Sequence, residues 1–243
     1  MVKKLTKLLI MIALWGNTAI IYAEKSTKVN RRDDMPNKFN GTVLLEDSLP
    51  NYVTADISNL EASSKTSIRI PASSVKFPLS KEDKKDIEIL IRKFDNEENC
   101  AGLAAPQIGI SKRVIVFAVP DDPSLKKWRP DLTQTMPKTL WINPSYKPIG
   151  TEMHEDYEGC FSVKDVTGSV KRYEKINYRA FDQEGKIIEG QAEGFTARVI
   201  QHEIDHLDGK LFIDLVPKDK TMSIEEYRKK RAEALKEKDK IEN

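Results

Sequence analysis

The chain is poor in the residues that would build a disulfide scaffold or a nucleic-acid surface. Its 243 residues include two cysteines, Cys100 and Cys160, which are too few to staple a small secreted fold. Lys and Arg together number 40 and Asp and Glu 38, so the charges nearly cancel, the chain has no strongly basic character, and we expect no nucleic-acid partner. With 39% hydrophobic residues the chain can bury a core, which predicts a globular protein.

Long hydrophobic runs are also missing, and the most apolar stretch lies at the N-terminus. Three lysines precede residues 8–23, an apolar run that Asn17 interrupts and that falls short of the roughly 20 residues of a spanning helix. This layout is typical of a secretory signal peptide. We predict that residues 1–23 are a signal peptide or membrane anchor, with membrane contact only through residues 8–23. The protein would then be periplasmic or anchored, whereas translation from Met35 would leave it cytoplasmic.

The remaining chain divides by composition. Residues 24–66 are rich in Ser, Thr, Asn and Lys, with short apolar islands, which predicts a flexible linker. From Ser80 onward apolar residues recur at helical spacing, so a helix is expected over about 80–96. We predict one catalytic domain over residues 67–243.

Several further elements follow from local patterns. The β-rich runs 113–119 and 139–149 are predicted strands with a loop between them. The turn residues 182–185 separate two more strands in a hairpin. A helix that ends at Gly209 carries both histidines of the stretch 199–209, and a capping box at Ser223 begins a C-terminal helix over 222–240.

The chemistry-bearing motif is His202-Glu203-Ile204-Asp205-His206, which has the HExxH pattern. On a helix, His202 and His206 lie one turn apart on one face, so both imidazoles can reach a single metal ion. Glu203 can then act as a general base without binding the metal. The motif predicts a metal-dependent hydrolase.

The third ligand is left open by this motif alone. Glu225 or Glu226 lies at about the distance used by thermolysin-like zinc peptidases, which would make the protein a zinc endopeptidase. Cys160 in "EGCFS" would instead give a softer site of two nitrogens and one sulfur.

A third motif favours the cysteine. "CAGLAAPQIG" (100–109), "EGCFS" (158–162) and "QHEIDHLDG" (201–209) occur in this order. Together they resemble the three motifs of the peptide deformylase family, over about residues 68–235. The resemblance implies an α+β fold with antiparallel sheets around a central HExxH-bearing helix, plus a C-terminal helix. It also implies removal of the formyl group from the N-terminal formyl-methionine of new polypeptides, with release of formate.

The resemblance assigns roles to individual residues. It implies Cys160, His202 and His206 as ligands of one divalent metal, Fe²⁺ or in its place Zn²⁺, Ni²⁺ or Co²⁺. Glu203 would be the acid and base, while the Gln107 side chain and the Phe161 backbone N–H would stabilise charge on the carbonyl oxygen. The residues implied in substrate binding are Gly102, Leu103, Val199 and Phe161.

The same resemblance pairs Glu158 with Arg172 as a structural ion pair. Two positions depart from the family pattern, since Cys100 replaces a glycine and Phe161 a leucine. We expect them to reshape the methionine pocket and lower kcat/KM for standard formyl-methionyl peptides. A catalytically impaired homologue that binds formylated peptides is the non-enzymatic alternative.

Overall fold

A computed structural model describes residues 49–56 and 66–241, so the predicted signal segment 1–23 lies outside the described residues. Within these residues, four α-helices and eight strands follow one another. They are α1 (Lys81–Asn96), β1 (Gly102–Ala104), β2 (Val114–Val119), α2 (Pro123–Trp128), β3 (Met136–Pro148), β4 (Met153–Cys160), β5 (Val163–Tyr173), β6 (Lys175–Phe181), β7 (Ile187–Glu193), α3 (Gly194–Leu207), β8 (Thr221–Ser223) and α4 (Ile224–Ile241).

The strands form two antiparallel sheets. The larger has the order β1-β2-β3-β6-β7 and the smaller the order β4-β5-β8. In the larger sheet β1 is an edge strand, and the predicted hairpin around Gly185 joins β6 to β7. The expected α+β class with antiparallel sheets is confirmed.

Helix α3 lies at the centre of the domain. All 14 of its residues are buried, and it contacts β1, β2, β3, β6 and β7 of one sheet and β5 of the other. A helix buried on every side must have partners for its polar side chains, which concentrates functional groups here. Gly209 follows its last turn with φ of 74°, the left-handed conformation that ends a helix, as predicted.

Local sequence signals explain the boundary of α1. The Ser80 hydroxyl accepts from the Asp83 N–H at 3.0 Å, and the Asp83 carboxylate accepts from the Ser80 N–H at 3.0 Å. This reciprocal capping box satisfies two N–H groups that a helix start otherwise leaves unpaired. Ile87, Leu90 and Phe94 then bury one face of the helix.

The predicted loop between the first two long strands is partly helical. Asp122 caps α2 by accepting from the Leu125 N–H at 2.9 Å, and Pro123 occupies its first turn. Leu125 and Trp128 are buried, so packing stabilises a helix too short to show a periodic pattern. None of the described helices combines the length and hydropathy required to cross a bilayer.

Residues 24–48 and 57–65 of the predicted linker lie outside the described residues, whereas residues 49–56, which we call the strap, contact the domain. The Val53 N–H donates to the Gln107 carbonyl and the Ala55 N–H to the Ser162 carbonyl, both at 2.8 Å. Ala55 is buried, so the strap is anchored to the domain. The strap is one of the short apolar islands of a polar segment, so the average composition of that segment did not indicate its packing.

Candidate metal centre and active site

The two histidines of α3 and the cysteine that ends β4 converge in the core. One ligand atom from each of Cys160, His202 and His206 lies within 4.8 Å of those of the other two. The Cys160 Sγ is 3.3 Å from His206 Nε2, and all three residues have at most 1% of their surface exposed. The structure thus brings together residues from two elements 42 positions apart, as the motif order predicted.

A carboxylate orients one of the imidazoles. The His202 Nδ1 is 2.8 Å from Oε2 of Glu158, which favours the tautomer that carries its proton on Nδ1. The lone pair then resides on Nε2, which is buried and has no hydrogen-bond partner. A carboxylate behind a histidine in this way fixes both ring orientation and ligand basicity.

Glu158 is held by two buried arginines. Arg172 donates to both of its carboxylate oxygens at 2.9 Å, which gives the predicted ion pair, and Arg198 donates to Oε1 at 2.8 Å. Burial opposes ionisation, but the charge and hydrogen bonds of Arg172 and the His202 hydrogen bond hold the pKa of Glu158 well below its usual range. The pair therefore orients His202 as well as the Cys160 loop.

Glu203 has a different environment. Its side chain is fully buried, and neither carboxylate oxygen has a hydrogen-bond partner. Burial first, and then the charge of Glu158, raise the pKa of Glu203 well above the usual range. A Cβ on Gly102 would lie 2.7 Å from Cδ of Glu203, so only glycine lets β1 pass this close to the carboxyl group.

The two predicted oxyanion donors flank the cysteine. The Gln107 Nε2 lies 3.5 Å from the Cys160 Sγ, while its Oε1 accepts from the Ala104 N–H at 2.9 Å. The latter bond turns the amide so that its NH₂ group faces the metal-ligand cluster. Phe161 directly follows Cys160, and the next N–H, of Ser162, donates to the Cys160 Sγ at 3.4 Å.

The remaining predicted substrate residues line up along β1 and α3. Leu103 is fully buried in the cluster between α1 and the large sheet. Val199 is buried with Ala101 and Ala104 in the core between α3 and that sheet. Phe161 stacks instead on Tyr52 of the strap, with ring centroids 4.6 Å apart and planes 3° apart.

The chemistry of the donors fits a divalent metal. Burial lowers the pKa of His206 well below its usual range, so its imidazole is neutral and has a lone pair to donate. Burial raises the pKa of the Cys160 thiol to about 12. A nearby cation would favour the thiolate, and it would engage the unpartnered Nε2 of His202.

Glu225 and Glu226, the rival third ligands, lie on the exposed face of α4. The Glu226 N–H donates to the Ser223 hydroxyl oxygen at 3.0 Å, and the Glu226 carboxylate pairs with Lys230 at 2.9 Å. Helix capping and ion pairing therefore account for Glu226. In the part of the chain that the structure describes, the metal-ligand cluster contains Cys160 instead.

Two contributions escaped sequence reasoning. Arg198 faces Glu158 from within α3, on the helix where Asp205 also pairs with Arg172 in the interior. Tyr52 lay in the supposed linker. The helical periodicity around His202 could have indicated Arg198, four residues earlier, but nothing local indicates Tyr52.

The fold and the site define a hydrolase class in which a central helix presents an HExxH motif to a buried cysteine. Residues 57–222 match the model of the family described as polypeptide deformylase. Over 188 residues, which are 77% of this chain and 93% of the relative, the sequence is 62% identical to "Peptide deformylase 2" of Rickettsia conorii. A "Peptide deformylase 1" of Prochlorococcus marinus is 46% identical over 121 residues, 47% of this chain and 57% of that protein.

Solved structures agree with these relatives. A Met-Ala-Ser-bound class I type b peptide deformylase from Acinetobacter baumannii has a TM-score of 0.58 and 29% identity, covering 70% of this chain and 99% of its own. A peptide deformylase from Ehrlichia chaffeensis has a TM-score of 0.59 and 25% identity, covering 80% of this chain and 99% of its own.

The chain belongs to the polypeptide deformylase family. It is an enzyme of that family, a hydrolase that removes the formyl group from the N-terminal methionine of polypeptides.

Proposed function

We propose that Cys160, His202 and His206 bind one divalent metal, Fe²⁺ in the active enzyme, and that Glu203 is the acid and base of deformylation. The observation that carries this proposal is the convergence of one thiol and two imidazoles, within 4.8 Å, beside an unpartnered buried carboxyl group. Two nitrogens and one sulfur make a soft ligand set, which suits iron(II), zinc, nickel or cobalt better than magnesium or calcium.

A divalent cation in this site would polarise the formyl carbonyl and provide a nucleophilic water at neutral pH. Glu203 accepts a proton from the attacking water and later donates it to the departing amine nitrogen. Its raised pKa suits this exchange, because a strongly acidic carboxyl group would not return the proton. The products are formate and a free N-terminal amine.

Negative charge develops on the formyl oxygen during attack. We assign its stabilisation to the Gln107 side-chain N–H and the Phe161 backbone N–H, which flank Cys160. Both are held before substrate arrives, Gln107 by its bond from the Ala104 N–H and Phe161 by the adjacent strands. Each fixed donor of this type lowers the free energy of the transition state by roughly 3–4 kcal/mol.

The substrate is a formyl-methionyl peptide or nascent chain that pairs with the edge of β1 opposite β2. This strand passes directly beside Glu203, and its other edge is bonded to β2. An extended peptide added here gains backbone hydrogen bonds while its methionine enters an apolar pocket to which Val199 and Phe161 contribute.

The test uses the full-length chain, loaded anaerobically with Fe²⁺, and measures formate release from formyl-Met-Ala-Ser together with bound metal. We expect Glu203→Gln to retain one metal per chain and lose about 10²- to 10⁴-fold in kcat. Cys160→Ser should lose the metal, whereas Glu226→Ala should keep it. Retention by Cys160→Ser with loss by Glu226→Ala would favour a zinc endopeptidase.

The N-terminal segment adds a proposal about location. We propose that residues 1–23 direct the protein out of the cytoplasm, because basic residues precede a short apolar run. Fractionation of cells that produce the full-length chain tests this. Recovery of the whole protein in the cytoplasm, or an N-terminus at Met35, would contradict it.

A further inference from the structure

The strap crosses the site between its two proposed oxyanion donors. Its Val53 N–H bonds to the carbonyl of Gln107, and its Ala55 N–H bonds to the carbonyl of Ser162, each at 2.8 Å. Two residues of extended chain span about 7 Å. The strap therefore ties the turn after β1 to the loop after Cys160 across a narrow gap.

The Tyr52 side chain extends from the strap between these two segments, the turn after β1 and the loop after Cys160. Its ring lies flat on Phe161, and it also packs against the core cluster that contains Leu103 and Ala105. The Lys93 Nζ lies 4.4 Å from the centre of the ring, which fixes it from α1. Burial is the largest cause that raises the pKa of Tyr52, in keeping with its position against the start of β1.

This position lies along the path of a bound peptide. The formyl group would lie beside Cys160 and the peptide backbone would run along β1. The first residue after methionine would then lie one or two residue spacings, each about 3.4 Å, away from the metal ligands. Because Phe161 directly follows Cys160, we place the Tyr52–Phe161 stack beside this part of the path.

We propose that Tyr52 determines substrate specificity: stacked on Phe161, it forms an aromatic wall that favours small side chains directly after the N-terminal formyl-methionine. The inference rests on the proposed function. The strap precedes residue 57, where the family match begins, so this wall lies outside the matched region. The stack has two rigid rings and an anchored backbone, so a large side chain cannot move it aside without breaking hydrogen bonds.

The experiment compares kcat/KM for formyl-Met-Ala-Ser and formyl-Met-Phe-Ser in the full-length, metal-loaded enzyme. We expect the wild type to prefer alanine, and Tyr52→Ala to shift the ratio toward phenylalanine by about tenfold, the usual scale of steric discrimination in an apolar pocket. Tyr52→Phe keeps the ring and should keep the preference. Tyr52→Leu serves as a second variant that preserves apolar volume.

Tyr227→Ala is the matched control, because it also removes one ring from an aromatic pair, with Tyr157 at 4.8 Å, but on α4. Its ratio should equal that of the wild type. An unchanged ratio in both Tyr52→Ala and Tyr52→Leu would overturn the proposal. An equal rise for both substrates would also overturn it, since the strap would then only block access.

Binding of the unformylated peptides Met-Ala-Ser and Met-Phe-Ser, measured by calorimetry, gives a readout that needs no turnover. The same tenfold shift in the ratio of Kd values is expected for Tyr52→Ala. If the wild type released no formate, the proposed function would fail, while the calorimetric ratio would still support or overturn the role of Tyr52.

Discussion

The His202 Nδ1 lies 2.8 Å from Oε2 of Glu158, a carboxylate that two arginines also contact in the interior. The pair joins α3 to β4, two residues before Cys160. One carboxylate therefore aligns an imidazole of the proposed metal site and holds the strand that carries the thiol.

Glu158→Gln tests this alignment. The amide cannot balance Arg172 and Arg198, so we expect a loss of about 3–5 kcal/mol in unfolding free energy and 10- to 100-fold weaker metal binding. Chemical denaturation and metal titration measure the two effects. Glu155→Gln, on the same strand but at the surface with Lys220, should alter neither by a comparable amount.

Gly102→Ala tests the approach of β1 to Glu203. The added methyl group would overlap the carboxyl group, so Glu203 must turn away. We expect kcat for formyl-Met-Ala-Ser to fall at least about 100-fold while one metal per chain is retained. Gly150→Ala is the control: no atom lies within 4 Å of the added methyl group, so kcat should not change, although the φ of 73° should cost about 1 kcal/mol in stability. A normal kcat for Gly102→Ala would show that Glu203 need not occupy this position.

Removal of the metal should lower thermal stability. A ligand that binds only the folded state at 100 times its Kd adds about 2.7 kcal/mol, so a chelator should lower the Tm by several degrees. Differential scanning calorimetry with and without chelator measures this. Cys160→Ser should show no such difference, and a full chelator effect in that variant would exclude the thiol as a ligand.

Acid should weaken the start of α1. Hydrogen bonds from Lys112 and Ser80 lower the pKa of Asp83 to about 2, against about 3.9 when unfolded. Its stabilisation is complete above pH 4 and is lost as the pH falls toward 2. Asp83→Asn should cost about 1 kcal/mol at pH 7, and this difference should shrink between pH 4 and 2. Glu82→Gln, an exposed neighbour, should show little pH-dependent difference.

Reversing the two departures from the family pattern should increase catalytic efficiency. The Cys100 thiol donates to the Gly102 carbonyl at 3.1 Å, on the strand proposed to pair with substrate. The double variant Cys100→Gly, Phe161→Leu should therefore raise kcat/KM for formyl-Met-Ala-Ser. Steady-state kinetics at equal metal content measure it, and an unchanged rate would contradict the idea that these residues reshape the methionine pocket.

Much of the site could be predicted because its signals are local or tied to ordered motifs. His202 and His206 share a helix face by periodicity, Gly209 ends that helix, and Ser80 with Asp83 begins α1. Cys160 required the resemblance, since spacing alone left Glu226 as a rival. The resemblance also implied the pairing of Glu158 with Arg172.

Other features depend on contacts between distant segments. The strap is polar on average, and its anchoring relies on carbonyl groups of Gln107 and Ser162, which every residue type possesses. Helix α2 is short and stabilised by burial of Leu125 and Trp128. Neither signal is periodic, so composition predicted a linker and a loop.

By itself, the sequence determined which groups are available to the centre: the HExxH spacing supplied two imidazoles and a carboxyl group, and the family resemblance added the thiol of Cys160. The tertiary structure alone decided what surrounds these groups. Glu158 contacts His202, and Arg198 is a second counter-ion of Glu158. The ring of Tyr52 stacks on that of Phe161. Local patterns encode which groups share an element, whereas burial and charge balance depend on segments that meet only after the chain has folded.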